Sequence, residues 1–244
     1  MILSAHQPYF LPWLPFFDKV ARSDLFILLD HVQYGSESFQ NRNRIKLASG
    51  AHWITVPVQR RGLGERICDK AIVNGPGARD WQRRLWLTVE QSYRKAPHFA
   101  DYRDALHDAF ARPWDKLVDL NLHLLQLVFA WLDIRTPAIR SSTLGLAGQK
   151  TELIGELCDR FGADTYLSGV GGSRGYLEVQ TLAKQGIRVQ WHEYTHPIYP
   201  QQHGAIGFVP ELSVIDLLLN CGPSSRALLA GRPCAVPLSA DAIA

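Results

Sequence analysis

The sequence predicts an α/β protein: a mostly parallel sheet with helices on both faces, a nucleotide-binding core of the Rossmann-like or HUP-like class, and a helical middle segment. The first observation is an apolar run at residues 2–5, a helical pattern at residues 13–22 and a second apolar run at residues 25–29. Strand–helix–strand units of this kind imply parallel strands. The second observation is that strand and helix patterns alternate again in the final third of the chain.

Each N-terminal element follows from a local pattern. Residues 25–29 are apolar without polar alternation, which indicates a central strand. In the helix predicted at residues 13–22, Leu14, Phe17 and Val20 recur at roughly helical spacing, and Pro15 fits only a first turn.

The rest of the chain continues the pattern. Three middle helices are predicted at residues 79–94, 98–111 and 115–132. The final third then predicts short strands around residue 139 and at residues 165–167 and 187–191, and helices at residues 149–161, 175–185 and 211–221. We expect a single domain at residues 1–231 with a helical insertion at about residues 79–132, followed by a loose tail at residues 232–244.

Composition excludes several classes of protein. The 244 residues are 46% hydrophobic and 20% charged, which suits a well-packed core, and the net charge of +3 is too small to indicate a nucleic-acid partner. The N-terminus lacks the basic and apolar regions of a signal peptide, and the longest apolar stretch, residues 120–132, is too short to span a membrane. The four cysteines form no C-x-x-C pair. We therefore expect a reduced, cytoplasmic protein with no membrane partner.

Residues 192–196, HEYTH, fit the H-E-x-x-H pattern of zinc peptidases. That chemistry needs a helix, but Pro197 follows directly, and a residue before proline avoids the helical region. An extended segment is expected instead, in which His192, Tyr194 and His196 share a face. The pattern favours polar residues at the rim of a cleft, with no metal assigned. A non-helical metal site formed by His192, His196 and His203 is the alternative.

The stretch SAHQPYFLPW, residues 4–13, lies between a strand and a helix, where open α/β sheets bind ligands. It supplies the catalytic candidate His6 and the binding candidates Gln7, Tyr9 and Trp13. The arrangement is similar to that of pantothenate synthetase and related nucleotidyltransferases, but those proteins carry a second histidine where this chain has proline and tryptophan. A buried histidine that ties the loop together is the alternative for His6.

A basic run follows the second strand. Residues 40–66 contain six Lys or Arg residues against one acid, so this segment is net +5 while the rest of the chain is −2. Arginine forks and lysine suit a phosphate or diphosphate. If residues 41–46 form a strand, the three basic side chains share one face; a solvated basic face is the alternative. The candidates from this region are Asp30 and Gln33 beyond the strand end, then Arg42, Asn43, Arg44 and Lys46.

A glycine-rich loop, SGVGGSRG, follows the predicted strand at residues 165–167 and offers backbone N–H groups to an anion. No G-K-[ST] follows, so it is not a P-loop, and an ordinary turn is the alternative. Lys150 lies at a helix start, and Asp216 and Asn220 are spaced i and i+4 on one helix stripe. The binding candidates from the glycine-rich loop and the residue that follows it are Ser168, Gly169, Gly171, Arg174 and Tyr176.

Together these motifs resemble the WbqC-like protein family. The resemblance rests on HQPYFLPW, FQNRNRIK, WITVPV, the KTE at residues 150–152, TYLSG with GYL, and HPIYPQQHG followed by LSVIDLLLNCG, and it covers roughly residues 2–222. The HPIYPQQHG motif adds His196, Tyr199 and Gln201 to the binding candidates. This chain departs from the family at His31, where an aspartate is common, and at residues 35–38, where a basic residue is common. A changed or narrowed substrate is one consequence of such departures.

The resemblance implies acyl or aminoacyl transfer to an amino sugar carried on a nucleotide, in bacterial polysaccharide or specialised-metabolite biosynthesis. His6 would act as the base and Asp30 would orient it. The candidate cofactors are a nucleotide, coenzyme A or an aminoacyl donor. The expected partner is a small molecule that is phosphorylated or nucleotide-linked, with aminoacyl-tRNA or a carrier protein as further donors. The alternatives are an ATP-using ligase or nucleotidyltransferase, and a non-catalytic protein that binds nucleotide sugars.

Overall fold

The computed structural model describes residues 1–36, 38–60, 64–74 and 81–231. Five parallel strands form one sheet, which confirms the α/β prediction. The nucleotide-binding class of this core and the domain boundaries stay predictions. The sheet strands are β1 (Ile2–His6), β2 (Leu25–Leu28), β5 (Ala138–Arg140), β6 (Thr165–Gly169) and β7 (Arg188–His192), while β3 (Arg42–Leu47) and β4 (Gly50–Thr55) form a separate antiparallel hairpin.

The order of strands across the sheet is β5-β2-β1-β6-β7. The chain therefore builds outwards from β1 in one direction, through β2 to β5, and then returns to the other side of β1 to add β6 and β7. The direction reverses between β1 and β6. In open α/β sheets, ligands bind at the carboxyl ends of the strands beside such a reversal.

Helices cover both faces of the sheet. Leu3 of β1 and Ile27 of β2 pack into one hydrophobic core with residues of two later helices, whereas Phe26 and Leu28 of β2 point into a second, larger core. This division follows from the alternation of side chains along each strand. The helices are α1 (Leu14–Ala21), α2 (Trp81–Tyr93), α3 (Phe99–Ala111), α4 (Leu117–Trp131), α5 (Lys150–Phe161), α6 (Val179–Lys184), α7 (Val214–Cys221) and α8 (Ser225–Leu229).

Most predicted elements are present, with shifted ends. The helix predicted at residues 175–185 starts later, at Val179, because a 3₁₀ turn occupies Gly172–Gly175. The last predicted helix starts at Val214, where the Ser213 side chain accepts the cap hydrogen bond. Strand β4 and helix α8 were not predicted. Residues 79–80 of one predicted helix and the predicted tail at residues 232–244 lie outside the described residues.

Within the part of the chain that the structure describes, no helix is both long and apolar enough to cross a membrane. Even α4, the most apolar of the middle helices, is 15 residues long. Its buried side chains pack into the larger core.

Candidate functional site

A cleft of about 450 Å³ opens at the carboxyl ends of β1, β6 and β7, beside the reversal in strand order. It combines apolar walls with several titratable side chains, as small-molecule sites commonly do. Its lining residues are His6, Tyr9, Trp13, Pro15, Phe16, Lys19, Phe39, Gly169, Val170, Gly171, Gly172, His192, Tyr194, His196 and Glu211. Six sequence-predicted candidates therefore meet here: His6, Tyr9, Trp13, Gly169, Gly171 and His196.

His6, the last residue of β1, is held in one orientation. Its Nδ1 lies 2.9 Å from the carbonyl oxygen of Gln7, and its ring makes edge contacts with Tyr9 and Phe16. A carbonyl oxygen only accepts, so Nδ1 carries the proton and Nε2 keeps its lone pair. Burial, and secondly the nearby charge of Lys19, lower the pKa of His6 to about 3. The imidazole is therefore neutral at physiological pH, with Nε2 ready to accept a proton or a hydrogen bond.

The loop after His6 is fixed by buried amides. Asn121 of α4 donates to the carbonyl of Pro8 at 2.9 Å, and Asn43 of β3 donates to the carbonyl of Leu11 at 2.6 Å. Leu11 has a left-handed backbone with φ of 42°, a conformation that non-glycine residues adopt only when their surroundings hold them there. Asn43, predicted to bind phosphate, is fully buried and has this supporting role in the structure.

Two charged residues of α1 belong to the site and were missed from the sequence. Asp18 is buried and its Oδ2 lies 2.7 Å from His192 Nε2 and 2.8 Å from Arg22 Nε. Lys19 is 4% exposed and donates to the carbonyl of Ala5 at 3.0 Å. Burial lowers the pKa of Lys19 to about 7. Neither position could be predicted from the sequence, because acidic and basic residues on a short helix usually face solvent.

The HEYTH segment is not helical, which agrees with the prediction from the sequence. His192 ends β7, and the next residues have no regular structure. His196 Nδ1 donates to the carbonyl of Pro197 at 2.9 Å, and its Nε2 accepts from the backbone N–H of Glu211 at 3.3 Å. Between the two histidines, the buried hydroxyl of Tyr194 has no hydrogen-bond partner among the described residues. This hydroxyl is thus a buried hydrogen-bond donor for which the described residues supply no acceptor.

The histidines of this segment do not form a metal site. His192 is bonded to Asp18, and His196 is bonded on both ring nitrogens. Throughout the described ranges, no three His, Cys, Asp or Glu side chains come together as metal ligands.

The basic run forms strand β3, but its side chains do not converge on the cleft. Arg42 and Arg44 lie over the ring of Trp53, with guanidinium carbons 4.8 and 5.8 Å from the ring centre. Arg44 also pairs with Glu211 on the cleft rim, with a nitrogen–oxygen distance of 3.2 Å. Lys46 is buried and donates to the carbonyl of Gly207 at 2.6 Å. Among the described residues of β3, Arg44 reaches the cleft rim through its pair with Glu211.

A second group of predicted binding residues forms a buried network around Asp216. Its carboxylate accepts hydrogen bonds from the hydroxyls of Tyr93 and Tyr199 and from the amide of Gln201, at 2.7, 2.9 and 2.7 Å. Burial raises the pKa of Asp216 despite these donors. Asn220 donates to the Asp216 backbone carbonyl and accepts from the backbone N–H of Gln202. The network anchors the HPIYPQQ segment behind the cleft, where Tyr199 stacks on His196.

The glycine loop contributes bare backbone to the cleft wall. A Cβ placed on Gly169, Gly171 or Gly172 would meet no atom within 4 Å, so the loop leaves open space there. Ser168 is buried beneath it. The other predicted residues of this region lie outside the cleft: Arg174 is exposed over Trp191, Tyr176 is exposed, and Lys150 is exposed at the start of α5.

The hydrogen bonds of Asp30 are made with residues other than His6, so the structure does not show Asp30 orienting the His6 ring. It is fully buried and accepts from Arg140 Nε at 2.7 Å and from the N–H and hydroxyl of Ser142, both at 2.8 Å. His31, the departure from the family pattern, joins the same region through Ser141 at 2.6 Å. These contacts tie β2 to the turn after β5.

Gln7 and Gln33, two of the three predicted glutamines, also lie outside the cleft lining. Gln33 is exposed and pairs by its backbone with Arg66. The side chain of Gln7 accepts a hydrogen bond from the Gln40 amide at 2.8 Å. Gln7 therefore joins the HQPYFLP loop to the chain ahead of β3.

The fold and the cleft together define an α/β protein with a five-stranded parallel sheet and, at its strand ends, a cleft that combines apolar walls with titratable side chains. More specifically, the chain belongs to the WbqC-like protein family, whose model matches residues 7–228. It is 36% identical over 218 residues to a Mycobacterium tuberculosis protein named "Uncharacterized protein Rv1507c", covering 88% of this chain and 92% of that one. No solved structure matches the chain.

Proposed function

We propose that the protein is a transferase that attaches an acyl or aminoacyl group to the amine of a small molecule, with an amino sugar carried on a nucleotide as the acceptor. The observation that supports this most directly is His6 Nε2, an unprotonated ring nitrogen in a cleft at the carboxyl end of β1. The cleft volume of about 450 Å³ suits the reacting part of such substrates. The resemblance to WbqC-like proteins provides the choice of acceptor.

The proposed reaction needs one proton acceptor. The amine nitrogen attacks the carbonyl carbon of an activated acyl donor, forming the C–N bond, and the bond to the donor's leaving group breaks. The proton lost by the amine passes to His6 Nε2 and then to the leaving group, so the enzyme ends unchanged. Backbone N–H groups of the glycine loop, at Gly171 and Gly172, would face the developing oxyanion.

The low pKa of His6 shapes this proposal. A base works best when its pKa lies near the operating pH, and a histidine with a pKa of about 3 is a weak base in the empty cleft. The charge of Lys19 is one of the two causes that lower it. A negatively charged substrate beside Lys19 would offset that cause and strengthen His6 as a base when substrate is bound.

The test is turnover with a panel of dTDP- and UDP-linked amino sugars as acceptors and acyl thioesters as donors, followed by mass spectrometry. We expect product from the native protein, and a loss of roughly 100-fold or more in turnover for His6→Asn. The matched control is His52→Asn, because His52 is exposed on β4 and outside the cleft.

Each other outcome has a definite meaning. Full turnover by His6→Asn would remove the proposed base. Tight binding of a nucleotide sugar without product over hours would instead support a binding protein. Release of pyrophosphate with ATP would support the ligase or nucleotidyltransferase alternative.

A further inference from the structure

Lys19 places a buried amine at the floor of the cleft. Its side chain is 4% exposed, and the hydrogen bond that the structure gives it is to the backbone carbonyl of Ala5 at 3.0 Å. An ammonium group has three N–H donors, so this bond leaves two of them for other acceptors. Lys19 shares the cleft lining with His6 of β1.

The acids near Lys19 are engaged with other partners. Asp18, its neighbour on α1, contacts His192 and Arg22. Glu211 on the cleft rim pairs with Arg44. Among the described residues, the structure records no ion pair for Lys19. When protonated, Lys19 therefore carries a buried charge to which the described residues supply no paired countercharge.

The surroundings of Lys19 favour an anion over other ligands. A buried charge without a partner is costly in free energy, which is why burial lowers the pKa of Lys19 to about 7. The cleft lining contains one carboxylate, Glu211, which pairs with Arg44, whereas its other titratable groups besides Lys19, namely His6, Tyr9, His192, Tyr194 and His196, are not carboxylates. Tyr194, which also lines the cleft, has a buried hydroxyl with no hydrogen-bond partner among the described residues.

We propose that Lys19 is the anion-binding subsite of the cleft and that it receives a phosphate or carboxylate group of the substrate. This rests on the proposed function in taking the cleft as the substrate site. The two remaining N–H donors of the ammonium bind oxygens of the anion, and the anion supplies the countercharge that the described residues do not. The basic run on β3 is not required for this contact.

The test follows the Lys19 side chain directly, without any acyl donor. Protein with ¹³C at the lysine ε carbon is titrated by NMR, alone and with inorganic phosphate, diphosphate or acetate. Lys19→Met identifies the resonance by its loss. We expect a titration midpoint near 7 in the empty protein and a rise of at least one pH unit with the preferred anion. A phosphate response without an acetate response identifies a phosphoryl substrate, and the reverse identifies a carboxylate.

Binding is then compared between variants. We expect Lys19→Met to weaken binding of the preferred anion at least about tenfold. The control is Lys116→Met, because Lys116 likewise donates to a backbone carbonyl, that of Asp69 at 2.9 Å, but lies outside the cleft. Equal affinity of Lys19→Met and native protein, or an unshifted Lys19 titration with all three anions, would overturn the subsite. Anion binding at Lys19 without acyl transfer to any acceptor would keep the subsite and overturn the proposed function.

Discussion

Replacing Lys19 by methionine should stabilise the protein, and the gain should depend on pH. Methionine has a similar length but no charge, so it removes a buried ammonium. Burial lowers the pKa of Lys19 from its ordinary 10.5 to about 7. Between these two values the unfolded chain holds a proton that the folded protein lacks, so folded-state stability falls as pH decreases from 10.5 to 7. Below pH 7 Lys19 is protonated in both the folded and the unfolded state, so the loss of folded-state stability no longer changes with pH.

The size of this stability change follows from how far the pKa of Lys19 is lowered. Each pH unit within that window changes the free energy of unfolding by about 1.4 kcal/mol. The stability difference between Lys19→Met and the native protein should therefore shrink by about 2.7 kcal/mol between pH 7.5 and pH 9.5. Loss of the hydrogen bond to the Ala5 carbonyl opposes the gain by about 1 kcal/mol at every pH.

The assay is urea unfolding of both proteins at pH 7.5, 8.5 and 9.5, in buffers without phosphate so that no anion occupies the cleft. Buried tyrosines such as Tyr166, whose pKa burial raises strongly, also titrate at alkaline pH, but they are common to both proteins and cancel in the difference. A difference that stays constant to within about 0.5 kcal/mol over this range would show that Lys19 keeps an ordinary pKa. In that case Lys19 would not be a destabilising buried charge that an anion could compensate.

Three further predictions use the same unfolding assay. Because the pKa of His6 is lowered from 6.5 to about 3, the free energy of unfolding of the native protein should fall by about 1.4 kcal/mol for each pH unit from pH 6.5 down to pH 3. His6→Gln should flatten this dependence, and a variant curve parallel to the native one would contradict the lowered pKa of His6. Asp18→Ala should lower the free energy of unfolding by about 1–3 kcal/mol, since it leaves the buried ring nitrogen of His192 without its hydrogen-bond partner; a loss below about 1 kcal/mol would mean that water replaces the carboxylate. Asp216→Ala should cost at least about 3 kcal/mol because three donors lose their acceptor, whereas Asp216→Asn should cost less; equal losses would argue against hydrogen bonding as the cause.

The sheet could be predicted because its strands carry local signals. Residues 25–29 are apolar on both faces, and the structure places β2 between two other strands with a core on each side. His6 could be predicted to lie at the strand-end cleft because it stands at the end of an apolar strand, β1. The hairpin was only half predicted, since its second strand, β4, is mostly exposed and lacks the signature of a buried strand.

Charged residues were harder to place, because burial of a charge is decided by tertiary contacts. Asp18 and Lys19 look like the solvent side of α1 until β1 and β7 are packed against that helix. Lys46 is another charged residue whose burial the sequence pattern does not predict. The strand pattern predicts that it shares a face with Arg42 and Arg44, but in the structure it is buried beside the Asp216 network. Alternation along a strand tells which side chains share a face, and it does not tell what that face will meet.

The amides of Asn121 and Asn43 that hold the HQPYFLP loop have a consequence for how the cleft responds to its surroundings. Neither side chain titrates, so acid or base does not loosen the wall that they support. Lys19 lines the same cleft, and with a pKa of about 7 it does change charge near neutral pH. A change of pH around neutrality thus alters how strongly Lys19 attracts an anion, while the two amide contacts that hold the loop stay as they are.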